Sequence, residues 1–442
     1  MERTQTPLEL LRQLINASID LVQEDIKKHH DPPLDLSEGK RHPIRDRYDP
    51  AIARALRCIS SSGMMLRALC DVDNYMTEII FSVNDMSALN TVSQADIANV
   101  ISDHPLHVNE LEKKTGIEAD KLARYLRALS NLHIFQELEP QVFANNELSI
   151  LLKSEGIKAL CQFNTDEIGA ATRKSWEALV HPSFKCSSAA NKTAFNLAFN
   201  TDFGMYEYWK QLRPDLAERG GAAFASLPIG WEAFLGLYPW AAEKSGTLVV
   251  DVGGGVGGGT MPIIKRFSNL RLLVQDLPTN KGSFHKHIKK NYPEFQGSDR
   301  VRFMGHDFFN EQPIKEADIY FLRRVIHNWP DDQAIKILGN ISRAMGGSSK
   351  LFICEHVAFP TYRPADLRHE RNFIAPPPLL ANWGAVLTSR LDLQVLACVN
   401  GRQRTRDEYS TLVGKAGLVT TKFWKSPADE VTIIECHLNQ SE

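Results

Sequence analysis

The sequence predicts an α/β protein in which a mainly helical N-terminal half precedes a mostly parallel sheet with helices on both faces. Three observations support this prediction. From Thr247 onward, short apolar runs alternate with helical stretches. The first of these runs, TLVVDV, leads directly into a glycine-rich turn. Most of the chain before Thr247 shows the periodicity of helices, and 442 residues are enough for two or three structural units.

Composition and charge restrict the possible functions. A hydrophobic content of 43% and a charged content of 24% are typical of a soluble globular protein. The net charge of -2 argues against binding to nucleic acid or to a membrane surface through charge. Seven scattered cysteines without a CxxC pair predict no structural metal site and favour reduced thiols in the cytoplasm. The N-terminus has no signal-peptide pattern, and we expect no membrane span.

The N-terminal half has a recognisable order of elements. Residues 1–50 predict an amphipathic helix and a Pro-rich linker, and residues 51–150 predict a winged-helix domain. Within it one helix ends at Thr115-Gly116, and the run IFQELEPQVFANN predicts the wing. The next helix is expected to bury one face, made of Leu122, Tyr125, Leu126 and Leu129.

The charge of this winged helix argues against DNA binding. Residues 103–139 contain five Lys or Arg against seven Asp or Glu, whereas a recognition helix needs a basic surface. We therefore expect a structural or dimerisation role. Residues 151–245 predict a helical connector rich in aromatic residues, which either packs between domains or lines an apolar substrate pocket. Residues 246–442 form the predicted sheet domain, with a closing hairpin in LVTTKFWKSPADEVTIIECHL.

The glycine turn is the first candidate binding site. Gly253, Gly255 and Gly258 satisfy G-x-G-x-x-G, which by itself suggests a dinucleotide. However, Asp251 directly precedes the turn and would repel a pyrophosphate, whereas it can hold an ammonium group. Asp276 ends the next strand, where a carboxylate can accept both ribose hydroxyls, and Asp307 ends the strand after that. These acids favour S-adenosylmethionine (SAM) over a nicotinamide cofactor or a turn without a ligand.

From Asp251 onward the sequence resembles the plant-and-fungal, caffeate-type family of SAM-dependent O-methyltransferases, in particular its fungal secondary-metabolite branch. The resemblance covers nearly the whole chain and includes the winged helix and the segments VDVGGGVG, VQDLP, HDFF, FLRRVIHNWPDD, FICE and NGRQRT. It implies a class I SAM-dependent methyltransferase fold, which is Rossmann-like, with an N-terminal winged-helix dimerisation domain. It also implies a homodimer that acts on a polyketide-type or aromatic small molecule and releases S-adenosylhomocysteine.

The resemblance also implies roles for individual residues. The methionine part of SAM would lie against Gly253, Gly254, Gly255 and Gly257, with Asp251 near its ammonium group and Arg323 near its carboxylate. Asp276 would hold the ribose, and Asp307 and Phe308 would flank the adenine. His327 matches the general base of the family, a task that suits a histidine with a pKa near neutrality. Glu355 matches one of the carboxylates that steady this base.

Two positions depart from the family pattern. Asn328 follows the histidine where the family usually has Asp, and NGRQRT has Gln403 where the family usually has Glu. A neutral amide can orient an imidazole but cannot compensate its positive charge, so His327 should be a weaker base than usual. A second reading therefore stays open, in which the protein binds SAM but catalyses a dehydration or pericyclic ring closure. There Arg323, Arg324 and His327 would polarise a carbonyl.

The substrate site can be predicted only in outline. Aromatic residues that can supply an apolar pocket are Phe195, Phe199, Phe203, Tyr206, Trp209 and Trp383. The helix-like run LDLQVLACVNG lines the acceptor site in the family, which makes Asn382, Trp383 and Asp392 further candidates. A flat aromatic or polyketide acceptor fits these residue types.

Overall fold

The computed structural model describes residues 5–226, 234–363, 373–426 and 431–439. The chain divides into two compact units. The helical unit comprises Met1–Gly169, Asp215–Pro228 and Pro376–Leu379, and the sheet unit comprises Ala170–Pro214, Ile229–Ala375 and Leu380–Glu442. The predicted connector, residues 151–245, contributes to both units. Among the helices of the described ranges, none is long and apolar enough to cross a membrane.

The first helix of the helical unit starts with a capping box, in which Thr6 and Glu9 satisfy each other's backbone N–H groups. Its helices are α1 (Pro7–His29), α2 (Pro50–Cys70), α3 (Val72–Gln94), α4 (Ile97–Ile101), α5 (Val108–Thr115), α6 (Ala119–Ser130) and α7 (Glu155–Phe163). Three short strands, β1 (Leu106–His107), β2 (Gln136–Glu139) and β3 (Val142–Ala144), form a sheet in the order β1-β3-β2.

The predicted helix–turn–helix and wing lie in α5, α6, β2 and β3. Helix α5 ends at Thr115, and Gly116 follows with a φ of 73°, a conformation that glycine adopts without strain. Leu122, Leu126 and Leu129 are fully buried, as predicted. Tyr125 is 38% exposed, so its assignment to the buried face was wrong. Three apolar positions per two turns are enough to dock this short helix, and Tyr125 lies at the edge of that stripe.

Helix α3 leaves a large apolar surface uncovered in the single chain. Its C-terminal part buries Ala88 and Val92, whereas its N-terminal part exposes six apolar side chains by 52 to 67%. We call these residues the α3 patch: Val72, Met76, Ile79, Ile80, Phe81 and Val83. Apolar side chains so close together are seldom left in water, and patches of this kind are typical of interaction surfaces.

The sheet unit contains seven strands: β4 (Thr247–Val252), β5 (Leu270–Asp276), β6 (Val301–Gly305), β7 (Ile319–Arg323), β8 (Lys350–His356), β9 (Leu418–Lys425) and β10 (Val431–Leu438). Its helices before the sheet are α8 (Gly169–Thr172), α9 (Ser175–Val180), α10 (Ala194–Phe199) and α11 (Met205–Leu212), and α12 (Pro214–Ser226) follows, mostly in the helical unit. Helices between the strands are α13 (Met261–Arg266), α14 (Lys281–Asn291), α15 (Asp331–Ser342), α16 (Val386–Val399) and α17 (Arg406–Gly414).

The sheet has the order β6-β5-β4-β7-β8-β10-β9, and its first five strands in this order are parallel. Strand β10 runs antiparallel to both β8 and β9. The predicted mostly parallel sheet and its closing hairpin are therefore confirmed. The Pro427-Ala428-Asp429 turn predicted within this hairpin lies outside the described residues.

Two apolar clusters cover the two faces of this sheet. Val249 and Phe321 belong to one cluster, and their neighbours Val250 and Leu322 belong to the other, as the alternation of side chains along a strand requires. Both clusters contain residues of the helices, so both faces are buried. The polar residues that follow β4, β5 and β7 consequently emerge together at the carboxyl edge of adjacent parallel strands, where α/β proteins bind their ligands.

Candidate active site

The turn after β4 depends on glycine for its shape. Gly253, Gly255 and Gly257 have φ angles of 73°, 59° and 81°, which residues with a Cβ rarely adopt. A Cβ on Gly253 would lie 3.0 Å from Val325 Cγ2 and 3.2 Å from the ring of Phe308. At Gly255, in contrast, nothing lies within 4 Å of the Cβ position. The turn therefore leaves space beside bare backbone, which a ligand can approach closely.

Asp276 is fixed at the end of β5 by three hydrogen bonds. The Gly255 N–H donates to its Oδ2 at 2.8 Å, and the Leu277 N–H and Asn280 Nδ2 donate to its Oδ1 at 2.8 and 2.7 Å. Burial raises the pKa of Asp276, while these hydrogen bonds stabilise its ionised form. Because a carboxylate oxygen can accept two hydrogen bonds, Oδ2 retains capacity for a hydroxyl donor.

Asp251 lies beneath the glycine turn and is only 2% exposed. Thr260 Oγ1 donates to its Oδ2 at 2.6 Å, and a Cβ on Gly254 would lie 2.4 Å from the same oxygen. Burial raises the pKa of Asp251 to about 6, against the Thr260 hydrogen bond and the charge of Arg323. Asp251 thus supports the turn from within, and its contact with a ligand stays a prediction.

Arg323 borders the glycine turn from the end of β7. A Cβ on Gly259 would lie 2.7 Å from Arg323 Nη1, so the guanidinium packs directly against the backbone there. The same guanidinium lies 5.3 Å above the ring of Phe234. Arg323 thus lies beside the glycine turn, and its role as a cation near the cofactor stays a prediction.

Aromatic side chains form the next part of the site. Phe308 packs edge-on against Phe309 and Trp329, with ring centroids 5.1 and 5.9 Å apart. Tyr206 of α11 lies 6.1 Å from Trp329, and burial, with smaller contributions from the charges of Cys398 and Asp276, raises the pKa of its hydroxyl. Trp329, the tryptophan of HNWPDD, was not singled out in the sequence, although it links Phe308 with the turn that contains His327.

His327 occupies a short turn, Ile326–Asn328, directly after β7 and is 7% exposed. Gln403 Nε2 lies 2.8 Å from its Nδ1, and Glu355 Oε2 lies 3.4 Å from the same nitrogen. The backbone N–H of His327 donates to Glu355 Oε1 at 3.2 Å. The structure therefore brings together His327, Glu355 and Gln403, which the sequence had grouped.

The electrostatics of this cluster disfavour charge on the imidazole. Burial and, to a smaller extent, the charge of Arg324 together lower the pKa of His327 to about 3. Burial also raises the pKa of Glu355 to about 7, and its hydrogen bond from the His327 backbone opposes this rise. Although the two side chains are close, they are thus better described as a neutral pair than as an ion pair at pH values below 7.

The segment NGRQRT, residues 400–405, supports the histidine turn from behind. A Cβ on Gly401 would lie 2.1 Å from the carbonyl oxygen of His327 and 3.0 Å from Cα of Asn328. Only glycine therefore lets the two backbones approach. The next residue uses this proximity, because the Arg402 N–H donates to the His327 carbonyl at 2.9 Å.

Arg404 is a buried clamp on the same turn and is only 1% exposed. Its guanidinium donates to the carbonyls of Ile326 and Trp329 at 3.2 and 2.8 Å and to Asp331 Oδ1 at 2.6 Å. These bonds hold the chain on both sides of His327. Arg404 is marked in the sequence only by its place in NGRQRT, and no role was predicted for it.

Arg324 and Asn328 shape the turn in a way that the sequence did not predict. Arg324 has a positive φ of 55°, and its Nη2 lies 3.4 Å from His356 Nε2. Asn328 Nδ2 donates to the Arg324 carbonyl at 3.1 Å. An ionised aspartate could not donate this bond, so the amide of Asn328 closes the turn. The amide that contacts the imidazole is that of Gln403.

The four candidates for the acceptor site differ in their surroundings. Phe199 stacks on Phe195 at 4.4 Å and lies 5.6 Å from Tyr208, in an aromatic cluster of α10 and α11. Asp392 Oδ1 accepts the Gln403 N–H at 2.6 Å, so it anchors the residue that contacts His327. Phe199 therefore remains available as a wall, whereas Asp392 has a structural task.

Asn382 and Trp383 are engaged within their own loop. Asn382 Oδ1 accepts the Gly384 N–H at 3.0 Å, and Trp383 Nε1 donates to the Phe373 carbonyl at 2.8 Å. Both side chains are buried, and Trp383 has a positive φ of 65°. None of these hydrogen bonds reaches the His327 turn, so a contact with substrate stays a prediction for both.

Comparison with known proteins identifies the family of this chain. A sequence model of the O-methyltransferase domain matches residues 242–419. A protein of Phanerochaete chrysosporium named 3-O-methyltransferase 2 is 30% identical over 368 residues, which cover 80% of each chain. The chain therefore belongs to the O-methyltransferase family, whose members are SAM-dependent enzymes.

Two solved structures share the fold over 97% of this chain and all of theirs. One is LepI in complex with SAM, with a TM-score of 0.72 and 20% identity. The other is described as a pericyclic reaction enzyme, with a TM-score of 0.71 and 20% identity. At this identity the likeness establishes the fold, a SAM-methyltransferase sheet domain with a helical N-terminal part, as the sequence predicted.

Proposed function

We propose that the protein is a SAM-dependent O-methyltransferase that methylates a phenol or enol hydroxyl of a polyketide-type or aromatic secondary metabolite. This proposal rests on the contacts between the glycine turn after β4 and the turn that contains His327. The Cβ position of Gly253 is 3.0 Å from Val325, two residues before His327. Trp329, two residues after His327, packs against Phe308. A ligand against the glycine turn would therefore lie next to His327.

The residues around the glycine turn fit SAM. The space beside Gly255 admits a ligand against the backbone, and Asp276 Oδ2 has capacity for a ribose hydroxyl. Phe308 and Trp329 offer apolar surfaces for adenine. The other predicted contacts are Asp251, Gly253, Gly254, Gly257, Asp307 and Arg323. SAM supplies an activated methyl group on a positively charged sulfur, so the chain itself mainly binds and orients the reactants.

On the acceptor side, the aromatic cluster of Phe199 and Tyr208 and the ring of Tyr206 favour a flat molecule. His327 would meet the acceptor oxygen through Nε2, because Gln403 and Glu355 both lie at Nδ1. With a bare Nε2 the histidine acts as the general base predicted from the sequence, and with a protonated Nε2 it acts as a hydrogen-bond donor.

Isotope transfer tests the methylation. The purified protein and SAM labelled in its methyl group would be added to a metabolite extract from a host that lacks this gene. We expect one product heavier by the labelled methyl group, with an equal amount of S-adenosylhomocysteine. Saturating SAM that gives neither heat in calorimetry nor thermal stabilisation would refute SAM binding itself.

His327→Ala separates chemistry from binding. We expect turnover to be lost while the affinity for SAM stays near that of the wild type, because His327 touches the glycine turn only through its neighbours. His104→Ala, at an exposed position of the helical unit, is the matched control and should keep full turnover. Wild-type turnover in His327→Ala would remove His327 from the mechanism.

A second function is favoured by the two neutral amides. Asn328 and Gln403 replace the carboxylates expected beside the base. In addition, one of the solved structures with the same fold is described as a pericyclic reaction enzyme and not as a methyltransferase. In this alternative the chain binds SAM and catalyses a ring closure or dehydration, with Arg324 and His327 near a substrate carbonyl. The labelling experiment separates the two, because the product would then be isomeric with its precursor or lighter by water, with SAM unconsumed.

We further propose that the chain forms a homodimer through its helical unit. The α3 patch exposes six apolar side chains by 52 to 67%, more than a single chain would leave in water. A second copy is the partner that the resemblance to the family implies. A monomeric mass in light scattering at micromolar concentration would contradict this. The cytoplasmic location inferred from the cysteines stays a prediction.

A further inference from the structure

The imidazole of His327 is approached at Nδ1 by the side-chain amide of Gln403. Gln403 points its Nε2 at this nitrogen from 2.8 Å, a good hydrogen-bond distance. Glu355 Oε2 is farther away, at 3.4 Å. With the NH₂ end of the amide toward the ring, Nδ1 accepts the bond with its own lone pair. A neutral imidazole that accepts at Nδ1 carries its hydrogen on Nε2.

The charged groups around the ring keep it neutral. Arg324 adjoins the turn, and Arg404 is buried behind it. Their two positive charges disfavour a further positive charge on the imidazole. On β8, His356 is also buried, and burial and the charge of Arg324 lower its pKa to about 3. Among the described residues Glu355 is the acidic group at the ring, and burial raises its pKa to about 7. An imidazolium would therefore have little compensation at neutral pH.

We propose that Gln403 is a positioning residue that holds His327 with its hydrogen on Nε2, so that His327 meets the substrate as a hydrogen-bond donor. This inference rests on the proposed function, in which the acceptor oxygen lies at Nε2. Nε2–H has no lone pair with which to take a proton from a hydroxyl. The acceptor must consequently lose its proton to solvent before it binds, and it binds as an anion.

The substrate class follows from this requirement. An acidic enol or phenol, such as the enol of a 1,3-dicarbonyl, is ionised near neutral pH, and the cations around His327 favour its anion. In the methylation step the lone pair of this oxygen takes the methyl group, the oxygen becomes neutral and no proton moves. The Nε2–H hydrogen bond stabilises the anion on binding and weakens as the ether forms.

The tautomer can be measured directly by ¹⁵N NMR of the imidazole nitrogens in the full-length protein labelled at histidine. The His327 signals are assigned by their loss in His327→Gln. We expect a bare Nδ1 and a protonated Nε2 between about pH 5 and 9, because the ring is neutral there. A protonated Nδ1 with a bare Nε2 would overturn the proposal, and so would an imidazolium. This measurement does not require turnover, so it stands even if the proposed methylation fails.

Gln403→Glu tests the positioning role, since glutamate is nearly isosteric and accepts a hydrogen bond where the amide donates. We expect Nδ1 to become protonated in this variant. Gln296→Glu, which adds the same charge at an exposed position, should leave the His327 signals unchanged. An unchanged Nδ1 in Gln403→Glu would show that Gln403 does not set the tautomer.

The pH dependence of turnover gives the second readout. In the wild type, the rising part of the curve of turnover against pH should follow the pKa of the acceptor. Two acceptors whose pKa values differ by about two units should therefore give curves that rise about two pH units apart. Gln403→Glu should methylate the less acidic acceptor faster, by about tenfold for each unit gained in the pKa of His327. Curves that rise at the same pH for both acceptors in the wild type would mean that an enzyme group takes the proton, contrary to the proposal.

Discussion

Gly401→Ala should damage the active site without touching a side chain that reacts. The added Cβ would lie 2.1 Å from the carbonyl oxygen of His327, about 1.3 Å short of the 3.4 Å at which ordinary contact begins. The opposing atom belongs to the backbone, so a rotamer change cannot relieve the overlap. The turn that holds His327 must therefore move away from the segment 400–405, or that segment must move.

The size of the effect follows from this displacement. Overpacking of this kind costs about 1 to 3 kcal/mol of the free energy of unfolding. A shift of about 1 Å at a reacting group can cost about a hundredfold in turnover. Urea unfolding would measure the first quantity, and methyl transfer under saturating SAM would measure the second. SAM affinity should change little, because Gly401 is not part of the glycine turn.

Gly414→Ala is the matched control. Gly414 is the last residue of α17, is exposed and has nothing within 4 Å of its Cβ position. Alanine should be neutral there or stabilise the helix by up to about 1 kcal/mol. If Gly401→Ala unfolds at the same urea concentration as Gly414→Ala and keeps its turnover, the close approach of the two backbones does not position His327.

Three further predictions concern binding, acid stability and assembly. Asp276→Asn should weaken SAM binding by about tenfold or more, because it loses the charge that strengthens hydrogen bonds from the ribose; calorimetry with unchanged affinity would contradict this. Both His327 and His356 have folded-state pKa values lowered to about 3 from 6.5. The unfolded chain therefore binds more protons as the pH falls from 6.5 to 3, and each ring costs up to about 1.4 kcal/mol of stability per pH unit. Unfolding of His356→Gln should accordingly depend less steeply on pH than that of the wild type, and equal slopes would rule out a buried neutral His356. Phe81→Glu should halve the mass in light scattering if the α3 patch is the dimer interface, whereas Leu138→Glu, at an exposed apolar position of the wing, should not.

The sheet domain could be predicted because its elements leave local marks in the sequence. A buried parallel strand is a continuous apolar run, and TLVVDV and LRLLVQD have this pattern and end in acids that mark the carboxyl edge. Helix α6 shows where such reasoning fails. Its period identified Leu122, Leu126 and Leu129 correctly, but the width of the buried face depends on packing partners, so Tyr125 was misassigned.

The site could be predicted as a set of residues but not as a set of hydrogen bonds. The motifs grouped His327, Glu355 and Gln403, yet the contact of Gln403 with the ring joins positions 76 residues apart. That Asn328 closes its own turn, and that Arg404 clamps it, likewise depends on the path of the folded backbone. Sequence periodicity contains no information about which end of an amide faces a ring.

The segment NGRQRT separates the geometry of the reaction from its proton chemistry. Gly401 and Arg402 fix the position of His327 through backbone atoms, and Arg404 does so through a buried guanidinium whose charge adds to the burial that lowers the pKa of the ring. Gln403 is the residue of this segment whose side chain contacts the ring, and an exchange of amide for carboxylate there hardly changes its volume. In the mechanism proposed above, a single substitution at position 403 would therefore exchange proton abstraction for recognition of an anion or a carbonyl, while the backbone that positions His327 stays unchanged.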